Sequence, residues 1–117
     1  MKRQLAIIGS GNGAQMCALF ASRHPEWRVH VLSTSSEENI ERWSQNRDGM
    51  EAIDVENGVR IKSRCPDLIT ECPKTSLMGS DLAIICSTCD KHGHYLRLCK
   101  EYLKQKTPIV VFSGNTD

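Results

Sequence analysis

Three short runs of uninterrupted apolar residues divide the chain: Leu5-Ala6-Ile7-Ile8, the DLAIIC run from Asp81 to Cys86, and the PIVVF run from Pro108 to Phe112. Runs of this length without polar alternation suit parallel strands covered on both faces. Val29 to Leu32 forms another apolar segment, completing a β-α-β unit of about thirty residues. Between it and the first run, Ala14, Cys17, Ala18 and Ala21 recur at i, i+3, i+4 and i+7, which predicts a helix with a stripe of small side chains close to a sheet. Arg23-His24-Pro25 ends that helix. Ser33-Thr34-Ser35-Ser36 predicts a cap for a second helix through Glu37 to Trp43, with acids in its first turn, ending near Asn46. From Glu51 to Arg64 the chain alternates around Glu56-Asn57-Gly58, which predicts a hairpin. Leu68 and Ile69 offer a short strand, Thr75 to Gly79 one helical turn, and the spacing of Tyr95, Leu98, Cys99, Tyr102 and Leu103 a helix from His92 to Leu103.

The first apolar run passes directly into Gly9-Ser10-Gly11-Asn12-Gly13-Ala14 and then into the alanine-rich helix. Small residues at these spacings have distinct physical uses at a dinucleotide site. Gly9 turns the chain sharply off the strand, Gly11 lets backbone approach a pyrophosphate, and Ala14 lets the helix pack against the sheet. Free N–H groups and the positive end of the helix dipole then face the phosphate oxygens. Asn12 and Gln15 add side-chain donors at the same turn. A structural turn in an unrelated α/β domain is the plain alternative. The rhythm β-α-β-α, hairpin, β-α-β predicts a single α/β domain over residues 1–117: a doubly wound, Rossmann-like parallel sheet with a β-hairpin excursion. Its ligand crevice should lie at the carboxyl ends of the first strand and of the Asp81 to Cys86 strand.

Composition narrows the partners. The chain has 117 residues, 39% of them hydrophobic and 25% charged, with a net charge of +1. That length suits one layered core and is short for a two-domain dehydrogenase. Basic residues are spread along the chain, and only two Trp, two Tyr and two Phe are available to stack on bases, so no nucleic-acid partner is expected. No apolar run approaches the length that a bilayer needs, so no membrane partner is expected either.

Six cysteines without a secretory segment point to free thiols and a cytoplasmic setting. Cys86 and Cys89 followed by His92 and His94 could be taken for a zinc cluster. The Cys89 to His92 spacing is too short for the usual finger, and Cys86 closes a strand whose side chains alternate between buried faces. No metal is expected there. A redox CxxC is equally weak, since that motif normally opens a helix.

Taken together, these residues resemble the amino-terminal NAD-binding domain of octopine dehydrogenase and related opine dehydrogenases. The fingerprint Gly9 to Ala14 carries most of the likeness. VHVLS followed by Glu41-Arg42-Trp43, then Lys62-Ser63-Arg64, Gly79-Ser80-Asp81, and His92 before Tyr95 support it. The resemblance implies NAD, with NADP as the alternative cofactor. It also implies an oxidoreductase whose full-length form reductively condenses an α-keto acid with an amino acid. By the same resemblance, the catalytic histidine and its acidic partner belong to a helical substrate domain absent from these residues, so no catalytic residue is assigned within the chain. The rival reading is a non-catalytic nucleotide-binding or interaction module that retains the fold.

In NAD-specific sites an acid usually stands at the end of the second strand, about twenty residues past the glycines. Here that place holds Ser33, followed by Thr34. Their hydroxyls suit a ribose hydroxyl or a 2′-phosphate, and no arginine adjoins them; the bland alternative is a loop and helix cap. Ser87 and Thr88 are expected beside the ribose and nicotinamide, or else as loop hydroxyls bonding local backbone. By resemblance His92 would lie near the nicotinamide, against the alternative of a solvated first-turn histidine. Apolar surface left exposed around the crevice would favour dimerisation or poor solubility.

Overall fold

The computed structural model describes residues 2–9, 12–33, 49–87 and 91–112. Its strands and helices follow the order β1 (Arg3–Ile8), α1 (Asn12–Ser22), β2 (Trp27–Leu32), β3 (Met50–Asp54), β4 (Val59–Ser63), β5 (Leu68–Thr70), α2 (Pro73–Leu77), β6 (Leu82–Cys86), α3 (His92–Tyr102) and β7 (Ile109–Phe112). Five strands form one parallel sheet in the order β5-β2-β1-β6-β7, while β3 and β4 pair antiparallel as a separate hairpin. The helix anticipated from Glu37 to Asn46 lies outside the described residues.

Register explains why the central runs are apolar throughout. Leu5, Val29 and Leu82 align across β1, β2 and β6, as do Ile7, Val31 and Ile84. This face packs under α1, where Ala14, Ala18 and Leu19 join Leu5, Ile7, Val29 and Val31 in one buried cluster. The alternate residues Ala6, Ile8, Leu32, Ala83 and Ile85 point the other way, onto Leu77 of α2 and Tyr95 and Cys99 of α3. The central strands β1, β2 and β6 therefore bury residues on both faces, at about 1.5–3 kcal/mol for each fully buried large side chain. The PIVVF run departs from its expected burial: β7 is an edge strand of the sheet, and Val110, Val111 and Phe112 are exposed because no further strand among the described residues covers them.

Chain direction follows from the same order. From β1 through α1 the chain moves one way to β2, and from β6 through α3 it moves the opposite way to β7. Right-handed crossovers accordingly put α1 and α3 on opposite faces. The carboxyl ends of β1 and β6 are adjacent at the point where the order reverses, the place where a crevice opens in such sheets.

At the opposite end, side chains tie the amino-terminal strand edges together. The Asp81 carboxylate accepts from the Gln4 N–H at 2.8 Å, and Gln4 Nε2 donates to the Met78 carbonyl and to Ser80 Oγ. Asp67 accepts from the Val29 N–H at 2.8 Å and from Arg64 at 2.9 Å, while Arg64 also donates to the Trp27 carbonyl at 2.7 Å. On the hairpin, Asp54 accepts from Asn57 at the tip and Gly58 takes a φ of +69°, as the Glu56-Asn57-Gly58 signal requires.

Candidate functional site at the sheet switch point

Gly9 stands at the centre of the switch point. Its N–H donates to the Leu32 carbonyl at 3.0 Å, linking the exit of β1 to the end of β2. Its φ is +138°, and a Cβ placed on it would run into the Cys86 carbonyl at the end of β6. The same Cβ would lie 3.5 Å from that of Ala14, which is fully buried. Glycine is thus required where three elements converge, and the small side chain at position 14 completes the fit.

From this junction α1 leaves with its amino end directed at the crevice. It runs for eleven residues and has no acidic side chain in its first turn, so its dipole and unpaired N–H groups are free of a competing internal anion. Gly13 is exposed, with open space around its Cα, and Gln15 is half-buried on the same first turns. Asn12 begins the helix. Ser10, Gly11, Thr34 and Thr88 lie outside the described residues, as does the side chain of Asn12.

Ser33 ends β2 on the other side of Gly9. Its N–H donates to the Thr70 carbonyl at 2.9 Å, and it is only 1% exposed. Its Oγ is buried without a hydrogen-bond partner among the described residues. Such a group costs about 1–3 kcal/mol of unrecovered desolvation, so the position is one where a polar ligand atom would be welcomed.

Past β6, Ser87 is half-buried, and its carbonyl accepts from His92 Nε2 at 3.0 Å. This bond spans the start of α3 and holds the imidazole against the loop backbone. Of the residues considered for a zinc cluster, Cys86 faces Cys17 of α1 at an Sγ–Sγ distance of 3.7 Å, His94 lies against the Tyr95 ring, and Cys89 is outside the described residues. The Cys17–Cys86 approach was not anticipated from the sequence.

Exposed apolar side chains lie on the edge strand and on the first helix. Val110, Val111 and Phe112 of β7 are exposed, and so are Met16 and Phe20 on α1. Beside α1 an open groove of about 450 Å³ is floored by Leu5, Leu82 and Ile84. No described helix is long and apolar enough to cross a membrane.

Comparison with known proteins places this geometry. The chain is 33% identical to tauropine dehydrogenase of Arabella iricolor over 115 residues, which cover 94% of the chain and 28% of that enzyme. It is 28% identical to opine dehydrogenase of Haliotis discus hannai, over 97% of the chain and 29% of the enzyme. Octopine dehydrogenase in complex with NADH and agmatine superposes with a TM-score of 0.81 at 26% identity, over 94% of the chain and 28% of that structure. The chain is similar to the amino-terminal NAD-binding domain of the opine dehydrogenases. This opine-dehydrogenase-like domain spans 28–29% of the length of the curated relatives just compared. Its fold alone is shared with 2-dehydropantoate 2-reductase from Porphyromonas gingivalis, with a TM-score of 0.69 at 16% identity. No family model matches the chain.

Proposed function

We propose that the chain is the dinucleotide-binding part of an opine-dehydrogenase-like oxidoreductase and takes NAD(H) in the crevice between the ends of β1 and β6. The observation that carries this reading is the junction at Gly9, where the exit of β1, the end of β6 and Ala14 of α1 converge too closely for any residue but glycine. The diphosphate is assigned to the turn Gly9-Ser10-Gly11-Asn12-Gly13-Ala14, with Gln15 beside it. The adenosine ribose is assigned to Ser33 and Thr34, where the buried, unpartnered Ser33 Oγ fits a hydroxyl better than a phosphate dianion, which would need a cation that no adjacent residue offers. NAD is therefore preferred to NADP.

Ser87, Thr88 and His92 are assigned to the nicotinamide side of the crevice. His92 acts there through its bond to the Ser87 carbonyl, which ties the start of α3 to the end of β6. Bound NADH would supply the hydride for reducing an imine formed between an α-keto acid and an amino group. The chain's own residues bind and orient the dinucleotide; the groups that place the imine belong to the remaining length of such an enzyme. Exposed Val110, Val111 and Phe112 support a covered edge, and free thiols at Cys17, Cys72, Cys86 and Cys99 support a cytoplasmic setting.

Calorimetric titration with NADH and NADPH tests the reading. Saturable binding of NADH, weaker binding of NADPH, and loss of both in Gly11→Leu are expected. Absence of binding by either cofactor to folded protein, or unaltered affinity in Gly11→Leu, would overturn it. Binding without turnover on pyruvate and amino acids, in the chain and in any longer form of it, would instead favour a non-catalytic nucleotide-binding module.

A further inference from the structure

Cys17 and Cys86 come from different elements and meet across the face of the sheet. Cys17 lies on the stripe of α1 that faces β1 and β6, and Cys86 is the last residue of β6, beside Gly9. The Cys86 thiol donates to the Cys17 sulfur at 3.7 Å, so the two sulfurs need to approach by less than 2 Å to reach bonding distance. Both side chains are partly buried, and Cys17 lines the open groove beside α1, through which a small oxidant can enter. Elsewhere, Cys99 is fully buried in the opposite cluster, and Cys72 is exposed beyond β5.

We propose that Cys17 and Cys86 form a redox modification site, oxidised reversibly by a peroxide to a disulfide that cross-links α1 to the end of β6 beside Gly9. The site rests on the packing of α1 against β6 and holds whether or not the domain binds a dinucleotide. Cys17 is suited to react first, because the hydrogen bond from Cys86 outweighs the opposing effect of burial and brings its thiol down to about 7. Cys86 holds its proton more tightly than an ordinary thiol, since it donates to Cys17, is partly buried and would bear a second negative charge beside the first.

The Cys17 thiolate attacks one peroxide oxygen and the O–O bond breaks. The hydroxide released takes up a proton and Cys17 becomes a sulfenic acid. With the charge on Cys17 gone, Cys86 gives up its proton and attacks the sulfenic sulfur. The S–O bond breaks, water leaves and the S–S bond forms. The two thiols have lost two electrons and two protons, and the peroxide has become two waters.

The test is graded hydrogen peroxide on the full chain, followed by alkylation of remaining thiols, proteolysis without reductant, and mass spectrometry. The expected product is a peptide pair joining Cys17 to Cys86, lighter by two hydrogen atoms than the reduced pair, formed at peroxide levels that leave Cys99 alkylatable after unfolding and removed by dithiothreitol. Cys17→Ser and Cys86→Ser should each abolish that pair, and thermal melting of the reduced variants checks that they fold. Should either fail to fold, trapping Cys17 sulfenic acid with dimedone at early times in the unaltered chain gives an independent reading. The proposal is overturned if Cys17 and Cys86 stay reduced while Cys72 is oxidised, or if the cross-link formed joins either of them to Cys89 instead.

Discussion

The carbonyl of Cys86 occupies the space that a side chain on Gly9 would need. This contact ties the exit of β1 to the end of β6, and the positive φ of Gly9 adds a second reason for glycine. Gly9→Ala should therefore lower stability by about 1–3 kcal/mol from backbone strain alone, with the steric clash adding to it. Gly13→Ala provides the contrast. Its Cβ would meet nothing within 4 Å, so gain of helix propensity should leave stability unchanged or raise it by up to about 1 kcal/mol. Urea denaturation of both variants checks the pair, and equal effects would refute the distinction.

Ser33 separates ligand binding from stability. Because its buried Oγ has no partner among the described residues, Ser33→Ala should not destabilise the domain and should raise stability by about 1 kcal/mol. The same change should weaken NADH binding by about fivefold to tenfold, through loss of one hydrogen bond of about 1 kcal/mol. Thermal melting and calorimetric titration on one preparation would decide it. A large loss of stability with affinity unchanged would assign Ser33 to structure.

Ile7 is fully buried beneath α1, between Val31 and Ile84 of the neighbouring strands. Ile7→Ala should cost about 2–5 kcal/mol, much of it from the cavity left between sheet and helix. On the opposite side of the contact, Ala18→Leu should cost about 1–3 kcal/mol by forcing α1 off the sheet. Denaturant midpoints test both, and a neutral Ala18→Leu would mean that the helix is less closely seated than its zero exposure implies.

Acid should loosen the end of the sheet remote from the crevice. Burial pushes the Asp67 carboxyl up, but the Val29 N–H and the Arg64 guanidinium together outweigh it and hold the group below its ordinary value. A carboxyl that is more acidic folded than unfolded contributes stability that is complete above its unfolded value and fades as pH falls toward the folded one. Stability should decline as the protein is acidified below about pH 5 and on through the depressed folded value, and Asp67→Asn should flatten that part of the profile. Melting temperatures across this range measure it, and an unchanged slope in the variant would remove Asp67 from the account.

Much of the fold was legible because its signals are local. The apolar runs at Leu5, Val29 and Asp81 became β1, β2 and β6. The Glu56-Asn57-Gly58 turn produced the hairpin from Met50 to Ser63, and the spacing of Tyr95 and Cys99 placed α3 within one residue of its observed end. The helical turn near Thr75 starts earlier than expected, at Pro73, because proline is well accommodated at the first helical position. His92 was expected to face the nicotinamide, and the structure adds a bond to the Ser87 carbonyl that no spacing foretells.

By itself the sequence determined which segments become strands and helices and that the first turn must be glycine, since apolar periodicity and the φ range of glycine act within a few residues. Only the tertiary structure decided that β6 lies beside β1, and with it that the Cys86 carbonyl closes over Gly9, that two cysteines 69 positions apart come within 3.7 Å, and that Ser33 Oγ is buried without a partner among the described residues. Those outcomes depend on strand order and register, which are settled by burying both faces of the whole sheet at once. No short stretch of chain carries that information.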